Sequence, residues 1–297
     1  MTPAPYHIAI IAPSGYAPDE AAYQRGLQRL RALGHTVYDL SAGTSRHQRF
    51  AASDTARVAQ LHAAADHPEA EIVIAVRGGY GLSRLLPEID FSHLASSGKL
   101  FVGHSDFTVL QMGLLAQGAI SIAGPMICDD FSRDDLSEFT HRHFWQAVSE
   151  PAFAVRVDTP GNPAVTVEGR LWGGNLAMLS HLAGTRWMPT VDDGMLFVED
   201  INEHPYRVER MLLQLMHAGV LHRQRAILLG DFSGYRLAEY DNGYDFGAMV
   251  DYLRERLGLP VLTGLPFGHV RDKLSLPVGG HGRVEADASG FSLQVSR

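Results

Sequence analysis

Apolar and polar positions along the first half of the chain follow two distinct rhythms. Short unbroken apolar runs at 8–12, 72–76 and 100–102 are separated by stretches in which apolar residues recur every three or four positions. The runs read as buried strands and the stretches as amphipathic helices. Ile8-Ala9-Ile10-Ile11-Ala12 is the first strand, closed by Pro13-Ser14-Gly15. Residues 18–33 then carry Tyr23, Leu27, Leu30 and Leu33 at helical spacing, and Gly34 suits the position just past a helix. Strands over 36–38, over 72–76 and just before Ser105, with a helix over 51–65, continue the alternation. Such alternation predicts parallel βαβ units and an α/β sheet covered on both faces. Loops at the carboxyl ends of these strands line the ligand crevice. Two segments fall there: Arg77-Gly78-Gly79-Tyr80-Gly81 and His104-Ser105-Asp106.

Turn and breaker residues gather at Glu150-Pro151 and at Thr159-Pro160-Gly161-Asn162-Pro163. They predict an α/β domain over 1–150, a linker over 151–168 and a second domain over 169–297. In the second half, 195–198 and 226–229 read as buried strands. Pro205 opens a helix whose Val208, Met211, Leu212, Leu215 and Met216 form an apolar stripe. A further helix is expected over 245–257. The last forty residues turn β-rich, with a hairpin around Ala288-Ser289-Gly290.

Composition narrows the function classes. The chain has 297 residues, 45% hydrophobic and 20% charged, as in ordinary globular proteins. Its net charge of −8 argues against a nucleic-acid or anionic membrane partner. The single cysteine, Cys128, allows no intrachain disulfide and fits a reducing compartment. The first residues carry no basic region, and the run at 8–12 is too short for a signal peptide or a membrane span. A cytoplasmic location is therefore expected. His141-Arg142-His143 has no neighbouring ligand pattern and H-E-x-x-H is absent, so neither a metal nor another cofactor is expected.

Four places could carry chemistry. Ser105 sits where a strand turns into a helical pattern, a geometry that exposes a serine hydroxyl over free helix N–H groups. The same Ser105-Asp106 pair could instead simply cap the helix. The glycines at 78, 79 and 81 could present N–H groups to an oxyanion or form an ordinary tight turn. Their spacing matches neither nucleotide-binding pattern. Glu199 follows the strand at 195–198 directly, where a carboxylate would be partly buried and in need of a partner. Glu203, nearer the helix, is accounted for by the helix dipole alone. His269 follows a strand-like stretch and Gly268.

Gly103-His104-Ser105-Asp106-Phe107-Thr108, Gly169-Arg170-Leu171-Trp172-Gly173-Gly174-Asn175-Leu176, the segment from Val198 through Leu212, and Gly268-His269 together resemble the LD-carboxypeptidases. These muramoyltetrapeptide carboxypeptidases are serine peptidases, and the family also holds the microcin C self-immunity peptidase. The resemblance extends from Ile8 to about Leu276. It implies an N-terminal parallel-sheet α/β domain, a smaller β-rich C-terminal domain and a homodimer. It also implies a catalytic triad of Ser105, Glu199 and His269, with backbone N–H groups of Gly79 and Asp106 as the oxyanion hole. Since Ser105 falls in the first domain and the other two in the second, the active site is expected where the domains meet. The implied reaction is removal of the terminal D-alanine from a murein tetrapeptide in peptidoglycan recycling. Alternatives are cleavage of microcin C-like aminoacyl-nucleotide peptide amides, or a non-catalytic binding module for a small ligand. Arg77, Arg271 and Lys273 are candidates for holding the substrate carboxylate, and Trp172 and Asn175 are further candidate substrate contacts.

Overall fold

The computed structural model describes residues 5–297. The chain divides into two compact units. One comprises the residues up to Ser149 together with Arg271–Leu276, and the other comprises Glu150–Val270 and Pro277–Arg297.

The first unit is built as the apolar runs require. Its elements are β1 (His7–Ile11), α1 (Glu20–Ala32), β2 (Thr36–Asp39), α2 (Asp54–Asp66), β3 (Ile72–Ala75), α3 (Leu82–Leu85), α4 (Phe91–Ser96), β4 (Leu100–Gly103), α5 (Thr108–Ala116), β5 (Ser121–Ala123) and α6 (Glu138–Ser149). The strand order is β5-β4-β3-β1-β2, and a short strand, β11 (Leu276–Val278), begins at the last residue of the returning segment Arg271–Leu276. The pairings of β1 to β5 are all parallel. Ile8, Ile10, Val73, Ile74 and Val102 are fully buried, as expected of strands covered on both faces. Helix α5 is buried from Thr108 through Leu115, so the segment that follows Ser105 runs through the interior of this unit.

The second unit holds β6 (Ala152–Asp158), β7 (Val165–Asn175), α7 (Leu176–Leu182), β8 (Gly194–Glu199), α8 (Pro205–His217), β9 (Gln224–Leu229), α9 (Phe246–Leu257), β10 (Val261–Leu262), β12 (His281–Asp287) and β13 (Gly290–Ser296). Its seven strands run β10-β9-β8-β7-β12-β13-β6. From β10 to β7 the pairing is parallel, and from β7 to β6 it is antiparallel. The long β7 serves both halves: 165–170 pairs with β12 and 170–175 with β8. The hairpin expected around Ala288-Ser289-Gly290 joins β12 to β13.

Two expectations need correction here. The segment 151–168 is no linker, since it contains β6 and the opening residues of β7. The Pro-Gly cluster at 159–163 is the connection between two strands. The second unit is also interrupted, because Arg271–Leu276 returns to the first unit. Among the described residues no helix is long and apolar enough to cross a membrane.

Candidate active site

In the first unit the site is built around one strained residue. Strand β4 ends at Gly103, His104 remains extended, and Ser105 turns into the left-handed region at φ +63° before α5 begins. A non-glycine residue in that region is disfavoured by about 1–2 kcal/mol. The neighbours leave no alternative. A Cβ on Gly103 would stand 2.6 Å from the Phe107 ring, so that ring can fold back over the strand end. The Gln111 amide donates to the Gly103 carbonyl at 3.2 Å. A Cβ on Gly78 would meet Ser105 Cβ at 2.8 Å and Oγ at 2.9 Å. Only glycine lets the 77–81 loop approach the serine so closely. The next glycine, Gly79, is exposed, has φ +106° and has open space where a side chain would be.

Asp106 anchors the turn from below. Its carboxylate is buried and accepts from the Ser14 hydroxyl at 2.6 Å and the Leu82 N–H at 3.0 Å. Burial raises its pKa, opposed by those bonds and by the buried Arg57 guanidinium. The side chain of Asp106 is therefore structural, and only its backbone N–H could serve chemistry.

In the second unit, Glu199 is the last residue of β8 and is wholly buried. Its Oε2 accepts from His269 Nδ1 at 2.7 Å, and its Oε1 accepts from the Asn175 amide at 3.1 Å. A carboxylate bonded at Nδ1 keeps the proton there and puts the lone pair on Nε2, the form a general base needs. Asn175 is paired in register with Glu199 across β7 and β8. Gly268, at φ +143°, would place a Cβ 3.3 Å from Glu199 Oε2. The loop carrying His269 thus lies against the strand end because residue 268 has no side chain.

The next acid behaves differently. Asp200 accepts from the Ala177 and Ile201 N–H groups and from Asn175. Burial, with the Glu199 charge second, nevertheless pushes its carboxyl up to about 6. Glu203 is partly exposed and pairs with Arg207 at 3.5 Å, one turn along α8.

The remaining sequence candidates separate on burial and charge. Trp172 is a core residue and not a substrate contact: it is fully buried, and its indole N–H donates to Gln224 at 2.7 Å. Asn175 is buried and committed to Glu199 and Asp200, so it orients a carboxylate rather than facing a ligand. Arg271 is matched by Asp135 at 3.0 Å and Asp272 at 2.9 Å, which neutralises it for a substrate carboxylate. Lys273 is buried and paired with Asp130 at 2.9 Å. Arg77 stays in play. Its Nε is buried without a hydrogen-bond partner, immediately before the glycine that touches Ser105. Ser14 and Asp130 escaped the sequence reading, because neither stands in a motif. Among the described residues no group of three or more His, Cys, Asp or Glu is arranged to hold a metal ion.

Asp200 sets a pH signature. The folded protein binds its proton more tightly than the unfolded chain, whose carboxyl titrates near 3.8. The stability this group contributes is therefore full below pH 4 and is lost as pH rises to about 6. The loss amounts to about 3 kcal/mol at neutrality, since each tenfold change in proton affinity is worth about 1.4 kcal/mol. Asp200→Asn abolishes the titration. Urea unfolding is expected to show wild type gaining on Asp200→Asn when pH drops from 7.5 to 4.5. A difference that does not change with pH would contradict the assignment.

Both halves of the chain match known patterns. The LD-carboxypeptidase N-terminal domain model matches residues 8–124, and the C-terminal domain model matches 168–284. The crystal structure of muramoyltetrapeptide carboxypeptidase from Oxalobacter formigenes is similar over 98% of this chain and 99% of that one, with TM-score 0.95 and 54% identity. A probable murein peptide carboxypeptidase of Bacillus subtilis is 30% identical over 280 residues, 92% of this chain and 86% of its own. MccF in complex with glutamyl sulfamoyl guanosine aligns over 100% of this chain and 99% of its own with TM-score 0.87. At 21% identity that likeness shows the fold alone. Two family models in the expected order, covering both the serine turn and the glutamate–histidine pair, settle the matter of kinship: the chain belongs to the LD-carboxypeptidase family.

Proposed function

We propose that this protein removes the C-terminal D-alanine from murein tetrapeptide by acyl transfer through Ser105, as a step of peptidoglycan recycling. The observation that carries the reading is the wholly buried Glu199 bonded to His269 Nδ1 at 2.7 Å. A buried carboxylate that fixes a partly exposed imidazole has no purpose in a passive binding module. The left-handed serine turn and the 54% identical relative, itself named a muramoyltetrapeptide carboxypeptidase, support the same reading.

In this mechanism His269 Nε2 takes the Ser105 proton as Oγ attacks the carbonyl that precedes D-alanine. Glu199 holds the ring and stabilises the imidazolium that forms. The N–H groups of Gly79 and Asp106 receive the developing oxyanion, each worth about 2.7–4 kcal/mol in comparable sites. His269 returns its proton to the leaving amine, D-alanine departs, and water releases the tripeptidyl group from Ser105. Arg77 supplies the charge for the substrate's free carboxylate. The reading also takes the enzyme to be a cytoplasmic homodimer that works without a metal.

Incubation with murein tetrapeptide is expected to release D-alanine, read by mass spectrometry. An aminoacyl sulfamoyl adenosine, the substrate type of the alternative, is expected to be cleaved far more slowly. The reverse preference would overturn the assignment. Ser105→Ala is expected to abolish release while the melting temperature stays within a few degrees, because the residue is small and only half-buried.

The acidic segment gives a sharper comparison. Glu199→Gln keeps the shape but removes the charge that stabilises the imidazolium, so kcat is expected to fall about 10²–10⁴-fold. Its stability is expected to hold or rise, since a buried charge beside Asp200 has gone. Glu203→Gln is expected to retain activity and to lose about 0.3–0.5 kcal/mol of stability with its Arg207 pair. An inactive Glu203→Gln beside an active Glu199→Gln would transfer the role to the other acid.

A further inference from the structure

The proposed mechanism makes no use of a deeply buried lysine in the first unit. Lys273 lies in the returning segment Arg271–Leu276, only 2% exposed, with its ammonium 2.9 Å from Asp130 Oδ1. Asp130 is also buried and sits on a single π-helical turn, Ile127–Phe131. Such turns often mark functional positions. Its second oxygen accepts from the Met126 N–H at 2.9 Å. Burying a charge pair of this kind gives little stability over an apolar pair of the same shape. A different role follows from what the lysine faces.

The ammonium lies 3.5 Å from His104 Nε2, and His104 Nδ1 lies 2.9 Å from the Gly124 carbonyl. A carbonyl can only accept, so Nδ1 carries the proton and Nε2 carries the lone pair. That lone pair points at a cation whose charge is balanced by Asp130. A protonated His104 would face the ammonium with like charge, and the opposite neutral tautomer would set N–H against N–H. The pair therefore permits one ring state. His104 is 1% exposed and directly precedes Ser105. Its extended backbone, φ −145° and ψ −171°, leads into the left-handed serine.

We propose that the Lys273–Asp130 pair is a positioning device for the nucleophile: the Gly124 carbonyl sets the His104 tautomer, and the ammonium facing Nε2 keeps that ring neutral and in place, which locks the backbone that aims Ser105. Lys273 and Asp130 touch no reacting atom and act through His104. The inference rests on Ser105 being the nucleophile, and it adds residues that no motif identifies. Lys273, a sequence candidate for the substrate carboxylate, is thereby given a role inside the fold.

The test uses two variants of the full chain. Lys273→Met/Asp130→Asn removes both charges together, so neither is left buried alone, and Asn keeps an acceptor for the Met126 N–H. His104→Phe keeps the ring shape and removes both nitrogens. Each is read by kcat and KM on murein tetrapeptide and by the rate at which a fluorophosphonate inactivates it. Both variants are expected to lose about 100-fold in kcat, the scale of a 1 Å misplacement. Inactivation by fluorophosphonate is expected to slow in parallel, while KM stays within about threefold of wild type. Folded variants with wild-type kcat and inactivation rate would reduce the pair to a structural element. The fluorophosphonate rate separates the two proposals. A wild type that is inactivated but releases no D-alanine refutes the substrate alone, whereas a wild type not modified at Ser105 refutes both. Should neither variant fold, ¹⁵N shifts of the wild-type His104 ring decide. A neutral ring protonated at Nδ1 from pH 6 to 9 is expected, and a proton on Nε2 or an imidazolium overturns the proposal.

Discussion

A serine keeps φ at +63° only where its surroundings exclude every relaxed conformation. That constraint organises much of the first unit. Gly103 yields space to the Phe107 ring, and Gly78 yields space to Ser105 itself. Asp106 is held by Ser14 and Leu82, and His104 by the Gly124 carbonyl. These partners come from the ends of β1, β3 and β5 and from the start of α3, so the parallel sheet is the frame on which the turn is stretched. The disfavoured backbone is stabilised by many small contacts, each ordinary alone. Its effect is to lift a hydroxyl clear of the chain beside the loop that carries the exposed Gly79.

The second unit solves an opposite problem, that of keeping a charge where water does not reach. Glu199 is wholly buried at the end of β8, yet both of its oxygens accept hydrogen bonds, from His269 and Asn175. The strand register sets this up, since Asn175 and Glu199 are neighbours across β7 and β8. Two adjacent acids then divide their duties. Asp200 receives two backbone N–H groups and braces Asn175, and its carboxyl is pushed up to about 6. The neighbouring carboxylate bears on the imidazole. Gly268 supplies the missing side chain that lets the histidine loop close on it.

Much of this was legible in the sequence. Unbroken apolar runs marked the parallel strands, because strands buried on both faces can hold little else. Glu199 stood out because it follows such a run directly, while Glu203 lies where a helix dipole accounts for it. The linker at 151–168 misled because its Pro-Gly cluster is the loop between β6 and β7, both edged with solvent-facing residues that dilute the apolar signal. Trp172 and Lys273 misled for another reason. A tryptophan and a lysine carry the chemistry of a binding site, and only burial shows one inside the sheet and the other locked to Asp130. Asp130 itself lies on a turn with no motif, and its partner is distant in the chain.

The central claim is a covalent one: Ser105 carries the peptide between two half-reactions. A depsipeptide analogue of the tetrapeptide, with D-lactate in place of the terminal D-alanine, tests it most directly. The ester acylates fast, so release by water becomes limiting and the acyl-enzyme accumulates. Intact-mass measurement in the first turnovers is expected to show the wild-type chain heavier by one tripeptidyl group, located on Ser105 by digestion. Turnover of the analogue with no adduct, or with the adduct on any other residue, would contradict the account.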